Sequence, residues 1–144
     1  MPFARALAAA AILVAGVLSA GCGPSEERAS DVELRAAIDR LRGDTSTDAA
    51  QRRLELAAVE QIASRTPAGS EAKSACASAY RKLFDAEDAV SRAEVSMKTA
   101  VALGNGASPA VLDEVLAADR LLETARLAMP ACDAAAAKLA LAAR

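Results

Sequence analysis

The chain has 144 residues, 53% of them hydrophobic but only 2% aromatic, with 25% charged, no histidine and a formal net charge of −2. This balance leaves no electrostatic footprint for nucleic acid, and so few rings give little to stack sugars or single-stranded bases on. Alanine dominates, and since alanine is the best helix former while β-rich folds draw on valine, isoleucine, threonine and aromatics, the composition predicts an all-α chain.

At the N-terminus Arg5 is the first cation, and Ala6 to Leu18 follow as thirteen small or apolar residues. That is well short of the roughly twenty a helix needs to cross a bilayer, so the stretch reads as a signal h-region. It closes on Leu18-Ser19-Ala20-Gly21-Cys22. Over residues 1–23 the arrangement resembles the signal peptide and lipobox of bacterial lipoproteins. The resemblance implies a signal peptide of residues 1–21, a diacylglyceryl thioether on the Cys22 sulfur, and an acyl group such as palmitate on the new amino terminus. Ser19 stands where leucine is commoner, and Ser19 with Gly21 also suits an ordinary secretory signal. Cysteine parity separates the two: lipidation uses Cys22 and leaves Cys76 and Cys132 as an even pair for an oxidising compartment, whereas plain secretion strands an odd thiol. Gly23 follows, where aspartate would resemble the inner-membrane retention signal of enteric bacteria. The expected place is therefore the cell envelope: the outer membrane facing the periplasm in a Gram-negative cell, otherwise the outer face of the cell membrane.

Beyond the signal remain 123 residues with 16 cations against 19 anions, enough for one domain. Residues 22–29 read as a lipidated cysteine and tether, and 30–144 as a helical domain. Ser30 and Glu33 have capping-box spacing, with Leu34, Ile38 and Leu41 as the first apolar stripe and Gly43 as a stop. After a turn over Asp44 to Asp48, a second helix is predicted to about Arg65, with Leu54, Ala58 and Ile62 on one face and Leu56 and Val59 widening it. Arg40, Arg42, Arg52 and Arg53, interleaved with Asp39, Asp44, Asp48 and Glu55, read as a solvated helical surface. Thr66-Pro67-Ala68-Gly69 breaks the pattern.

A long third helix is predicted over about 70–103, its seam made of Cys76, Ala79, Leu83, Ala86, Val90, Ala93, Met97 and Ala100. Gly104-Asn105-Gly106 ends it, and Ser108-Pro109 opens a fourth helix over about 109–142. The fourth seam is Val111, Val115, Ala118, Leu122, Ala125, Met129, Cys132, Ala136 and Leu139. Two matching heptad stripes and a short loop predict a long antiparallel hairpin inside a small disulfide-stapled bundle. Opposed positions in such a hairpin add to a constant near 212, and Cys76 with Cys132 gives 208, within about one helical turn of register. A disulfide between them is the expected staple. Pro130 predicts either a kink or the start of a separate terminal helix.

Tyr80 and Phe84, one turn apart beside the Cys76 seam, are the largest side chains after the signal. They read either as core under the first two helices or as a groove receiving a partner helix. No histidine serves a nucleophile, Ser70-Glu71-Ala72-Lys73 lacks companion motifs, and two thiols without clustered carboxylates make no convincing metal set, so neither enzyme, cofactor nor metal is expected. The expected function is that of a membrane-anchored lipoprotein working by contact with an envelope protein or by self-association. Its overall plan is similar to the helical pilotins of type II secretion, which bind and escort an outer-membrane subunit. Rivals are a structural or oligomerising spacer and a lipid- or small-ligand-binding helical bundle.

Overall fold

The computed structural model describes residues 26–45, 48–104 and 106–144. The signal peptide, Cys22, the first part of the tether, the middle of the turn after Gly43 and Asn105 lie outside the described residues. Four helices make up nearly all of the rest: α1 Glu26–Gly43, α2 Ala49–Gln61, α3 Pro67–Ala102 and α4 Pro109–Ala142. At 1.5 Å per residue α3 is about 54 Å long, and α4 returns along it to close the antiparallel hairpin.

Each helix start has a local cause. α1 begins ahead of the expected Ser30, with Glu26 and Glu27 in its first turn where carboxylates favour the positive helix end. Ser30 is thereby freed from capping, and its hydroxyl donates instead to the carbonyl of Ala63 in the segment after α2. Asp48 caps α2, its carboxylate accepting from the backbone N–H of Ala50 at 2.8 Å and of Gln51 at 3.4 Å. Thr66-Pro67, expected to break the pattern, is a threonine cap with proline in the first turn, so α3 starts earlier than position 70. Ser108-Pro109 does the same for α4. Gly104, at φ 67°, takes the left-handed conformation that ends α3.

A further expectation is corrected, and an alternative left open is decided. α2 ends at Gln61, not near Arg65, because Ile62 turns extended and its carbonyl accepts from the Lys73 ammonium at 2.7 Å. Its inward face is Leu56 and Val59, whereas Leu54 is 65% exposed. Ion pairs made by Arg52 and Arg53 to α3 set this rotation, turning Leu54 outward. As for Pro130, it sits inside a continuous α4 and starts no separate helix.

The core has two parts of different construction. Around the base of the hairpin α1 and α2 cover α3 and α4, and Leu34, Ile38, Val59, Cys76, Cys132 and Leu139 are fully enclosed. Each of the large aliphatic residues contributes about 1.5–3 kcal/mol by leaving water. Farther out, the second cluster is Ala89, Ala93 and Ala118 with Val90 against it, contributed by α3 and α4 alone. The disulfide Cys76–Cys132 crosses the hairpin inside the first cluster with a Cα separation of 4.4 Å.

Candidate interaction surface

At the base, α3's N-terminus is built around a buried carboxylate. Asp31 of α1 is 3% exposed, and both its oxygens accept from the Thr66 hydroxyl at 2.8 and 3.0 Å, while Thr66 Oγ1 accepts from the N–H of Gly69 at 3.0 Å. A charge so nearly buried is tolerated because it is hydrogen-bonded and faces the positive end of a long helix. A side chain at position 69 would meet Asp31 Oδ1 at 2.5 Å and Ser64 Oγ at 2.6 Å, so this close approach requires glycine. Sequence reading missed the junction; the signal was Thr66-Pro67, the same threonine- or serine-proline start it recognised at Ser108-Pro109.

The cover over Tyr80 and Phe84 is held by arginines. Phe84 is buried in the first cluster, with the Arg52 guanidinium 5.3 Å and that of Arg53 6.0 Å from its ring centre. Tyr80 is half-buried and meets Phe84 edge-on at 6.1 Å. Arg52 grips Glu87 through two hydrogen bonds of 2.8 and 2.6 Å, and this hydrogen-bonded pairing raises its pKa further above the usual arginine value, against the opposing cost of burial. Arg53 pairs with Asp88 at 2.6 Å, Arg42 with Asp133 at 2.8 Å and Arg40 with Glu55 at 3.5 Å. The basic cluster is largely solvated as expected, with Arg40, Arg42 and Arg53 exposed, and its ion pairs also link α1, α2 and the hairpin. A partner reaches the Tyr80–Phe84 pair only where α1 and α2 lift away. Farther along α3, Glu94 pairs with Lys98 at 3.5 Å, one turn on.

Beyond Asp88 the hairpin stands with a bare face. The seam there splits into two lines of heptad spacing. Ala86, Ala93, Ala118 and Ala125 are buried between the helices. Leu83, Val90 and Met97 on α3 and Val115, Leu122 and Met129 on α4 are pushed to one side, only partly covered. Small residues on the first line bring the helices together, and that closeness leaves the larger residues no room between them. They line two adjoining shallow grooves, one with Val90, Met97, Val115 and Leu122, the next with Leu83, Leu122 and Met129. Val115 is 38% and Leu122 40% exposed, and the neighbouring surface of α4 adds Leu112 and Leu116. Sequence reading named every residue of these lines but assigned them all to the hairpin's own seam.

Lys73, of the Ser70–Lys73 pattern, is engaged by the Ile62 carbonyl. Among the described residues no three His, Cys, Asp or Glu side chains converge as a metal site, and no helix is long and apolar enough to cross a membrane. Comparison with protein-family models, with curated proteins and with solved structures returned no match.

Proposed function

We propose that this chain is a lipid-anchored envelope protein that acts by protein contact rather than catalysis, in a scaffold or escort role, and that it makes contact through the half of its hairpin beyond Asp88. The observation that carries the reading is the thinly covered apolar face of Val90 and Met97 on α3 with Val115 and Leu122 on α4. The lipobox-like segment ending at Cys22 supplies the anchor. α1 starts at the base of the hairpin, where Glu27 and Asp31 share a groove with Pro67 and Ala142. Four residues from Cys22 to Glu26 reach at most about 14 Å, so the base stays at the leaflet and the face is free to lie along it or stand away from it. With the alanine line closing the seam, the arm favours contact over enclosure of a lipid.

The test has two readouts. Cys22→Ser should release the chain from membranes or leave it unprocessed, and mass spectrometry of the mature wild-type N-terminus should find a diacylglyceryl cysteine. Photocross-linking from Val90 and Leu122 in intact cells should trap a protein. A lipid-free mature N-terminus removes the anchor, and an absence of any cross-linked protein removes the contact role.

A further inference from the structure

We infer that the tip of the hairpin, Thr99 to Leu103 with Val111 and Leu112, dips into the acyl boundary of the leaflet that carries the Cys22 anchor. The inference rests on the lipid-anchor reading and is independent of which protein meets the face of Val90 and Leu122.

The first ground is charge. Thr99 to Leu112 are fourteen residues without a charged side chain, twice the next longest such run between Glu26 and Arg144, which is Ser74 to Tyr80. A connection between helices runs over the surface and is ordinarily polar. Here the two helix ends hold Val101 at 72%, Leu103 at 69% and Leu112 at 49% exposure. The second ground is direction, and it selects lipid over protein. At 3.6 residues per turn Val101, eight residues past buried Ala93, points about a quarter turn to one side of the seam, and Leu112, six before buried Ala118, about a third of a turn from it. Just below, Val95 and Leu116 each stand two residues from those alanines and point nearly opposite the seam, 63% and 53% exposed. Large apolar side chains thus surround the end of the arm. A partner helix or groove covers one side of it, whereas acyl chains close around all sides.

The third ground is the backbone, since in hydrocarbon an N–H or C=O finds no water. The Leu103 N–H donates to the Thr99 carbonyl at 3.1 Å and the Gly104 N–H to the Val101 carbonyl at 3.0 Å, while the Thr99 hydroxyl turns back to the Val95 carbonyl at 2.8 Å. Across the turn Ser108 accepts from the Val111 N–H through its hydroxyl and from the Leu112 N–H through its carbonyl, and Pro109 has no N–H to satisfy. Lys98 on one helix and Asp113 on the other bound the uncharged cap about 6 Å from the helix ends, within the depth of about 5–10 Å at which amphipathic segments enter the headgroup boundary. The charges bordering the cap are Lys98 against Glu94, Asp113 and Glu114, so anionic headgroups add no attraction and zwitterionic lipid suffices. A cap this shallow holds a membrane weakly by itself. The anchor keeps the base within about 14 Å of one leaflet and so presents the tip to that leaflet at high effective concentration, which a facing membrane lacks.

The chain has no tryptophan, so the indole introduced by Leu103→Trp reports on the tip alone. The mature variant, purified from membranes with its anchor, is reconstituted in phosphatidylcholine vesicles brominated near the glycerol end of the acyl chains. Expected are quenching by the bromolipid and an acrylamide quenching constant about two-fold or more below that of the same chain further changed by Val101→Lys and Leu112→Glu. Both positions are exposed and each new charge suits the dipole of its helix end, so helicity and melting temperature should match the parent. Equal acrylamide access in the two chains, with both floating with the vesicles in a density gradient, would overturn insertion and leave the anchor standing. A shielded indole that bromolipid does not quench would overturn lipid as the occupant. Quenching only when the bromine is in added, protein-free vesicles would put the tip in a facing membrane and overturn the same-leaflet placement. A chain that fails to float would overturn anchor and insertion together.

Discussion

Removing the staple is the sharpest test of how this hairpin is held. The Cys76–Cys132 bridge closes a loop with a sequence separation of 56 residues, and in the chain-entropy description a loop of that length restrains the unfolded chain by about 4 kcal/mol. Both sulfurs lie fully inside the first core cluster, so alanine rather than serine is the right replacement; buried hydroxyls without partners would add their own cost of about 1–3 kcal/mol. For a folded part of this size each kcal/mol moves the melting temperature by about 4 °C, so Cys76→Ala with Cys132→Ala together should lower it by about 16 °C. The bridge sits well inside the base, and the paired flanks are also joined by Lys138 and Glu71 at 2.6 Å, so the folded double variant should keep its helicity. Thermal unfolding followed by circular dichroism at 222 nm reads both quantities. A drop of less than about 4 °C, equivalent to about 1 kcal/mol, would refute the claim that the bridge stabilises chiefly by restraining the unfolded chain.

Two other predictions concern the base. Tyr80 is the only tyrosine in the chain, so absorbance at 295 nm reports its ionisation alone. Burial raises its pKa above the ordinary 10.0, opposed by the nearby Arg42 charge and assisted by Asp133. The folded state therefore holds the phenolic proton longer than the unfolded state, so the stability tied to this group is complete below pH about 10 and is lost as pH rises through the folded pKa. A titration midpoint at or below that of the urea-unfolded chain would contradict the covered position of Tyr80. Gly69→Ala should destabilise by about 1–3 kcal/mol in urea unfolding, because its methyl group drives into Asp31 and Ser64; an unchanged midpoint would show that the Asp31–Thr66 junction yields freely.

The fold was legible where one rule governs. Heptad spacing and the Ser108-Pro109 start set the hairpin, and the position arithmetic of its two arms placed Cys76 beside Cys132, as the bridge bears out. It was not legible where a short helix is rotated by partners distant in sequence. The apolar pattern of α2 allows either Leu54 or Leu56 inward, and the choice falls to Arg52 and Arg53, whose partners Glu87 and Asp88 lie some 35 residues on. The role of Ser30 has the same character, since its partner is the Ala63 carbonyl beyond α2.

The candidate surface was half legible for a reason that lies in side-chain size. A heptad pattern records which residues share a side of a helix, not how deep each one sits. Along the arm the pattern contains alanines at one position and Leu, Val or Met at the other, and the buried set is alanine: Ala86, Ala93, Ala118 and Ala125. Near the base the same division occurs, but Leu34, Ile38 and Leu41 of α1 fill the side that the close-set helices leave open, and the large residues there become core. Past Asp88 no such helix is supplied among the described residues, and the second core cluster shrinks to three alanines with Val90 beside them.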